Sequence, residues 1–179
     1  GEGSLAVLRR VMELGRTHRV FPLCGNCDDI DRAFLEARPG TDELLWKVFS
    51  HWKERSLILQ LGAELGLRPG SPEELPALRA AILRERPREA RFLLTMPHIL
   101  EAGRYLFVHG GVPREDRLEE LDAHGCMKND DFMGQGRSFR RWVVVGHWPV
   151  TLYRPDIPSA APLIDRERHI ISIDGGCVL

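Results

Sequence analysis

The sequence predicts a layered α/β protein, and three observations support this prediction. A helical apolar stripe that begins at Ser4 leads into a short apolar segment, Arg19–Cys24, which predicts a strand. A helix that feeds a short buried strand is typical of layered α/β proteins. Residues 41–96 then hold several helical patterns, whereas residues 98–173 hold short apolar segments separated by turns.

The first half of the chain is predicted to be mainly helical. Ser4 is placed to cap the first helix, which Gly15 would end. Pro69–Pro72 breaks the pattern, and Ser71 is placed to cap the next helix, with Pro72 at its first position. The predicted helices after the first are 41–52, 56–65, 72–86 and 88–96.

The second half is predicted to form strands joined by turns. Two hairpins are expected to turn at Ala102–Gly103 and at Arg166–Arg168, and Trp142–Gly146 is predicted to be a strand. Arg114–Ala123 predicts a short helix, and Lys128–Arg137 a loop. The hairpin strands are 98–101, 104–109, 163–165 and 169–173, and a further strand is expected to start at 177–179.

Length and composition limit the class of protein. A chain of 179 residues fits one domain, and we predict a single domain over 1–179, incomplete at both ends, with a helical cap-like insertion at about 31–88. The 25 basic and 26 acidic residues indicate neither a nucleic-acid polymer nor a membrane as partner. The four cysteines do not resemble a secreted disulfide framework, so we expect a cytoplasmic protein.

Three segments, far apart in the sequence, each place a candidate metal ligand beside a glycine where an apolar run ends. The candidates are Asn26, His109 and His147, whose neutral nitrogen and oxygen donors borderline divalent metals accept. Taken alone, the asparagine is typical of a turn, and each histidine of a packed loop. Together, the three segments predict a metal site at the rim of a sheet.

The order of these motifs resembles the calcineurin-like metallophosphoesterases. The motifs are Gly25-Asn26-Cys27-Asp28, His109-Gly110-Gly111-Val112, Gly146-His147-Trp148-Pro149 and Ile173-Asp174-Gly175-Gly176. The resemblance runs from about Ser4 to the end of the chain. It is greatest to the branch that holds serine/threonine protein phosphatases and bacterial diadenosine tetraphosphatases.

The resemblance implies a four-layer α/β/β/α sandwich with two divalent metal ions, Mn, Fe or Zn, at the sheet edge. It implies hydrolysis of a phosphate ester by attack of a metal-bound water. Asn26, His109 and His147 would hold the second metal, and Asp28 would orient its neighbour Cys27. The family usually has a histidine where Cys27 stands, and a thiol is a weaker hydrogen-bond donor toward a leaving group.

The family holds its first metal with an Asp-x-His motif and bridges the two metals with the aspartate of Gly-Asp-x-x-Asp-Arg-Gly. Neither motif precedes Asn26 in this chain. We therefore expect an excerpt of a longer protein that lacks the N-terminal strand and the first two motifs. The printed chain alone is predicted to be poorly active, and the full-length protein competent.

Phosphate needs a cationic partner, and the bidentate fork of arginine suits it. Arg137 is the predicted phosphate-binding residue, with Arg140, Arg141 and Arg114 as alternatives. Trp148 is predicted to wall the substrate pocket or to stack on a base, and packing beneath its loop is the alternative.

The predicted function is hydrolysis of phosphate monoesters on a phosphoprotein or a small molecule. A dinucleoside polyphosphate hydrolase, with Trp148 and Tyr153 as an aromatic clamp, is one alternative. A phosphodiesterase is a second, favoured by Cys27, and a degenerate phosphatase fold used for binding is a third. Cys24–Cys27 also has the spacing of a zinc knuckle or a redox pair.

Overall fold

A computed structural model describes residues 2–176 and shows a mixed α/β protein, as predicted. The chain comprises a helical unit and a sheet unit. These are residues 2–21 with 27–96, and residues 22–26 with 97–176. The predicted insertion at 31–88 falls inside the helical unit, which also takes in the first helix. The strand predicted at 177–179 lies outside the described residues.

The helical unit confirms most of the predicted helices. They are α1 (Ser4–Leu14), α2 (Asn26–Leu35), α3 (Asp42–Trp52), α4 (Leu57–Glu64), α5 (Leu75–Glu85) and α6 (Pro87–Thr95), of which only the first residue of α2 is grouped with the sheet unit. Apolar side chains with no exposed surface, such as Phe49 of α3 and Ile58 of α4, form its core. Within residues 2–176, no helix is long and apolar enough to cross a membrane.

Helix α2 is absent from the predicted elements, because the sequence predicts a loop at Asn26. The structure begins a helix there. Asp28 and Asp29 lie in its first turn, where their negative charges interact favourably with the positive end of the helix dipole. Phe34 and Leu35 in its last turn are buried. Burial of the C-terminal end therefore stabilises this helix, although its first residues are typical of a turn.

Neither of the two serines predicted as caps, Ser4 and Ser71, caps a helix with its side chain, whereas Ser56, which was not predicted as a cap, does. The hydroxyl of Ser56 accepts the Leu59 backbone N–H at 3.3 Å and caps α4. The prediction for Ser4 is wrong, because Gly3 is the N-cap and Ser4 lies inside α1. Ser71 does stand at an N-cap position with Pro72 next, as predicted, but a 3₁₀ turn follows, and its hydroxyl bonds the Glu73 carboxylate and makes no cap bond.

The strand predicted at Arg19–Cys24 is wrong. The segment has no regular secondary structure and forms no ladder with a strand of the described sheet. Its backbone is tied to the first hairpin segment by a bond from the Cys24 N–H to the Pro97 carbonyl, at 2.8 Å. Pro22 has no N–H to contribute, and a strand needs regular pairing of its backbone groups.

The sheet unit holds one five-stranded sheet within the described residues, in the order β1-β2-β3-β5-β4. Its strands are β1 (Ile99–Ala102), β2 (Tyr105–Val108), β3 (Trp142–Val145), β4 (Leu163–Asp165) and β5 (Ile170–Ser172). The two predicted hairpins, β1–β2 and β4–β5, are confirmed as antiparallel pairs. β3 runs parallel to both β2 and β5, so the carboxyl ends of three strands meet at one edge.

The core of the sheet unit is formed by alternate strand residues and by two loops. The buried cluster is Leu106, Val108, Val112, Cys126, Phe132, Met133, Phe139, Val143, Val145 and Ile170. The rings of Phe132 and Phe139 stack with centroids 5.9 Å apart. The predicted loop at Lys128–Arg137 is therefore anchored in the core, and it contains only a short 3₁₀ turn, Met133–Gln135.

The helix predicted at Arg114–Ala123 is wrong. Arg117 takes a left-handed conformation (φ 49°), and Leu121 is extended, so only the 3₁₀ turn Leu118–Glu120 forms between them. The helix comes later, as α7 (Ala123–Met127), because Asp122 caps it by accepting the Gly125 N–H at 2.8 Å. A last helix, α8, covers Val150–Tyr153.

The glycine that follows β2 allows a close backbone approach. A Cβ on Gly110 would lie 2.8 Å from the carbonyl carbon and oxygen of Met127 and 2.9 Å from the Asn129 nitrogen. Gly110→Ala is therefore expected to destabilise the protein by about 1–3 kcal/mol in urea unfolding. Gly175→Ala is the control, because its Cβ would meet only an ordinary contact at 3.5 Å. Equal stabilities of the two variants would contradict the prediction.

Glu115 fixes the start of β3. Burial acts to raise the pKa of its carboxyl, but the backbone N–H groups of Arg141 and Arg140 and their guanidinium charges outweigh it, so the pKa is lowered. Its stabilising contribution is therefore fully present above the unfolded pKa of about 4.3 and is lost as pH falls through the folded value. Glu115→Gln is expected to weaken the dependence of the free energy of unfolding on pH below about pH 4.5, as measured by urea unfolding. Glu119→Gln, which removes an exposed charge nearby, should leave the profile unchanged.

Candidate metal centre

Two parallel strands bring His109 and His147 to one edge of the sheet. His109 directly follows β2, and His147 lies two residues after β3. The Gly146 N–H donates to the His109 carbonyl at 2.8 Å, which continues the β2–β3 pairing beyond the strands. The two imidazole centroids are 5.1 Å apart, with an interplanar angle of 62°. Side chains 38 positions apart in the sequence therefore face one another.

Asn26 joins this pair from the chain segment that is grouped with the sheet unit. Its Oδ1 lies 2.9 Å from Nε2 of His109. Two ligand atoms on bonds of about 2.1 Å at right angles around one cation are about 3 Å apart. In this structure the contact is a hydrogen bond, which Nε2–H of His109 donates to the amide oxygen. If a divalent ion replaced that hydrogen, the spacing would fit two adjacent ligands, and the nitrogen and oxygen donor set suits the same metals.

Gly25 lets the backbone lie directly on the His109 ring. A Cβ at this position would be 3.1 Å from Cε1 of His109 and 3.2 Å from each ring nitrogen. These distances are tighter than ordinary van der Waals contacts. A glycine at position 25 therefore allows Asn26 to approach the imidazole.

The backbone at His147 is strained. Its φ is +63°, and the Trp148 N–H donates to the Gly146 carbonyl at 2.7 Å. A hydrogen bond across three residues with a positive central φ is the rare form of γ-turn. Strain of this kind costs on the order of 1–3 kcal/mol and is concentrated at functional sites. It fixes the direction in which the imidazole leaves the sheet edge.

Electrostatics favour a neutral His109. Burial lowers the pKa of its imidazole, and the neighbouring His147 lowers it further, while Asp174 acts in the opposite direction. The net effect is a pKa below the ordinary value of 6.5. A neutral imidazole has the lone pair that binds a metal, so His109 is prepared to act as a ligand near neutral pH.

Asp130 is the residue that the sequence analysis missed. Its Oδ1 lies 2.8 Å from Nε2 of His147, although it belongs to the loop predicted at Lys128–Arg137. An aspartate in a polar loop carries no signal of such a role, since the contact depends on how the loop folds back. Asp174, after β5, instead shapes its own turn, because its Oδ1 accepts the Gly176 N–H at 2.8 Å.

Cys27 and Asp28 lie in the first turn of α2, in residues grouped with the helical unit. The Cys27 side chain is exposed, but nearby protein atoms partly desolvate its thiol. This desolvation, with the charges of Asp28 and Asp31, raises the pKa of the thiol. Cys27 is therefore not set up as a reactive thiolate, which requires a lowered pKa.

The two predicted substrate-binding residues lie in the sheet unit. Arg137 is exposed, and its guanidinium donates to the Pro113 carbonyl at 2.8 Å and to Oε1 of Gln135 at 3.1 Å. Trp148 is half-buried directly after His147. Of the alternatives to Arg137, Arg141 is engaged by the carboxylate of Glu101 at 2.5 Å and by Glu115.

Comparison of this chain with protein-family models, with curated proteins and with solved structures finds no match.

A substitution at Gly25 tests the contact with His109. Gly25→Ala is expected to displace the His109 ring by a few tenths of an ångström and to destabilise the protein by about 1 kcal/mol. Side-chain NMR of His109 and urea unfolding measure the two effects. Gly146→Ala is the matched control, because its Cβ would lie 3.7 Å from the His109 carbonyl oxygen. The same displacement in both variants would refute the account.

Proposed function

We propose that this protein is a metal-dependent phosphoesterase that hydrolyses phosphate monoesters, with a calcineurin-like four-layer sandwich as its complete fold. The main support is the convergence of Asn26, His109 and His147 at one sheet edge, with 2.9 Å between the donor atoms of the first two. The order of the motifs in the sequence supports the same class. The mixed α/β architecture is compatible with that fold.

The proposed cofactors are two divalent ions, Mn, Fe or Zn. Asn26, His109 and His147 would hold one of them, through an amide oxygen and two imidazoles. When bound, a divalent cation supplies Lewis acidity, which lowers the pKa of a water ligand and withdraws charge from phosphoryl oxygens. The resemblance assigns the remaining ligands to the Asp-x-His and Gly-Asp-x-x-Asp-Arg-Gly motifs of the family.

The side chains of this site do three things before any substrate arrives. His109 is kept neutral by burial, so its lone pair is available at neutral pH. The γ-turn holds His147 in one backbone conformation. Gly25 keeps the asparagine close to the first histidine. Ligands that are fixed in advance lose little conformational entropy when a cation binds.

Arg137 is the proposed phosphate-binding side chain. It lines an open groove of about 500 Å³, whose other charged residues are Arg114, Arg140, Glu115 and Asp116. Its guanidinium is exposed and planar, and such a fork pairs with two phosphate oxygens at once. Gln135 bonds both Arg137 and the Asp130 carbonyl, so the groove and the His147 contact share one loop.

A phosphodiesterase activity is the second candidate, and the environment of Cys27 favours it. The raised pKa keeps the thiol protonated, and a thiol donates hydrogen bonds weakly. An enzyme with a weak donor at the leaving-group position acts best on substrates whose leaving group needs little protonation. The roles of Cys27 and Asp28 stay predictions.

The direct test is hydrolysis of a chromogenic phosphate monoester and diester by the full-length protein with added Mn²⁺, alongside titration of Mn²⁺ binding. His109→Ala is expected to lower both turnover and bound metal, by at least about 100-fold in turnover. His124→Ala is the control, because this exposed histidine lies on α7, outside the site.

The two readouts separate the alternatives. A larger rate on the diester than on the monoester would support the phosphodiesterase. Metal binding without turnover would indicate a phosphatase fold used for binding. Wild-type protein that binds no divalent ion, or a His109→Ala variant that binds it equally well, would refute the proposal.

A further inference from the structure

We infer that Asp130 is the positioning residue for His147, holding the imidazole proton on Nε2 and thereby keeping the lone pair of Nδ1 for a cation. The metal-binding part of this inference rests on the proposed function. The hydrogen-bond part depends only on the geometry of the chain. The motifs that suggest a phosphoesterase assign no role to this aspartate.

The contact itself determines where the proton lies. Oδ1 of Asp130 is 2.8 Å from Nε2 of His147, a distance typical of a charge-assisted hydrogen bond. An ionised carboxylate can only accept, so Nε2 must carry the hydrogen. A neutral imidazole with its hydrogen on Nε2 has its lone pair on Nδ1. Of the two ring nitrogens, Nδ1 is therefore the one prepared to bind a metal.

The loop that carries Asp130 is anchored to the turn after β2. The N–H groups of Gly110 and Gly111 donate to the Cys126 carbonyl at 2.7 and 3.1 Å. Gly110 also leaves room for the backbone of Met127 and Asn129, which a Cβ would meet at less than 3.0 Å. The glycine beside one candidate ligand, His109, thus positions the loop that supports the other.

The same loop is also held from its far end. Nε2 of Gln135 donates to Oδ1 of Asn129 at 2.5 Å and to the Asp130 carbonyl at 3.4 Å. Phe132 has no exposed surface and fixes the loop in the core. The Asp130 side chain is 55% exposed, yet its backbone is anchored on both sides. The Asp130 carboxylate can therefore reach the His147 imidazole although it does not belong to the core.

The γ-turn fixes the His147 backbone, so rotation of the ring is the main freedom that remains. The side chain of His147 is 12% exposed, and its Nε2 edge faces the carboxylate. Carboxylates that bond the second nitrogen of a ligating histidine fix its tautomer and raise its basicity. Loss of such a partner lowers metal affinity by about 10–100-fold.

The first test reads the ring nitrogens of His147 by long-range ¹H–¹⁵N NMR in chelator-treated protein. Wild type is expected to show hydrogen on Nε2 and none on Nδ1. Asp130→Ala should give a mixture of both tautomers, and Asp130→Asn, which keeps an acceptor, should restore most of the preference. Asp131→Asn is the control, because it removes the same charge one residue away and asparagine tolerates the left-handed φ of 53° there.

The second test measures Mn²⁺ affinity by calorimetry on the same four proteins, with thermal unfolding as the check on folding. Asp130→Ala is expected to lose about 10–100-fold in affinity, Asp130→Asn less, and the control nothing measurable.

The outcomes distinguish the inference from the proposed function. An unchanged tautomer in Asp130→Ala would overturn the inference. So would a loss of affinity with the Nε2 hydrogen retained, since Asp130 would then be a direct ligand. A shifted tautomer in a protein whose wild type binds no Mn²⁺ would support the positioning contact and refute the proposed function.

Discussion

The parallel pairing of β2 with β3 is the constraint on which the candidate site depends. Parallel strands end on the same side of a sheet, so residues that follow them are brought together without any local sequence relation. The bond from the Gly146 N–H to the His109 carbonyl extends this pairing to the site itself. A change in the register between β2 and β3 would separate His109 from His147, even if the rest of the structure were unchanged.

The site is unfavourable by itself, and the sheet core offsets its cost. The positive φ of His147 opposes folding, and burial of the His109 imidazole opposes folding below about pH 6.5, where the unfolded imidazole would be charged. In the core of the same sheet, Leu106, Val143 and Ile170 have no exposed surface, and burial of each such side chain contributes about 1.5–3 kcal/mol. A core of this kind holds strained functional groups in a conformation that they would not adopt alone.

The sequence predicted those features that follow from local pattern. Apolar strands ending at glycine correctly placed His109 and His147 after β2 and β3, since strand burial has a clear signature. The strand at Arg19–Cys24 failed because pairing is a tertiary property that apolar residues alone do not determine. Asn26 was expected in a loop, but burial of the far end of α2 overrode the turn residues. No sequence pattern marked Asp130, because its contact with His147 forms only when its loop packs against the glycines after β2.

The central claim is that Asn26, His109 and His147 bind one divalent ion. Anomalous diffraction at the manganese edge, from crystals grown with Mn²⁺, tests it most directly. We expect a peak about 2.0–2.3 Å from Oδ1 of Asn26, Nε2 of His109 and Nδ1 of His147. The absence of a peak at this edge of the sheet, or a peak bonded to none of the three, would contradict it.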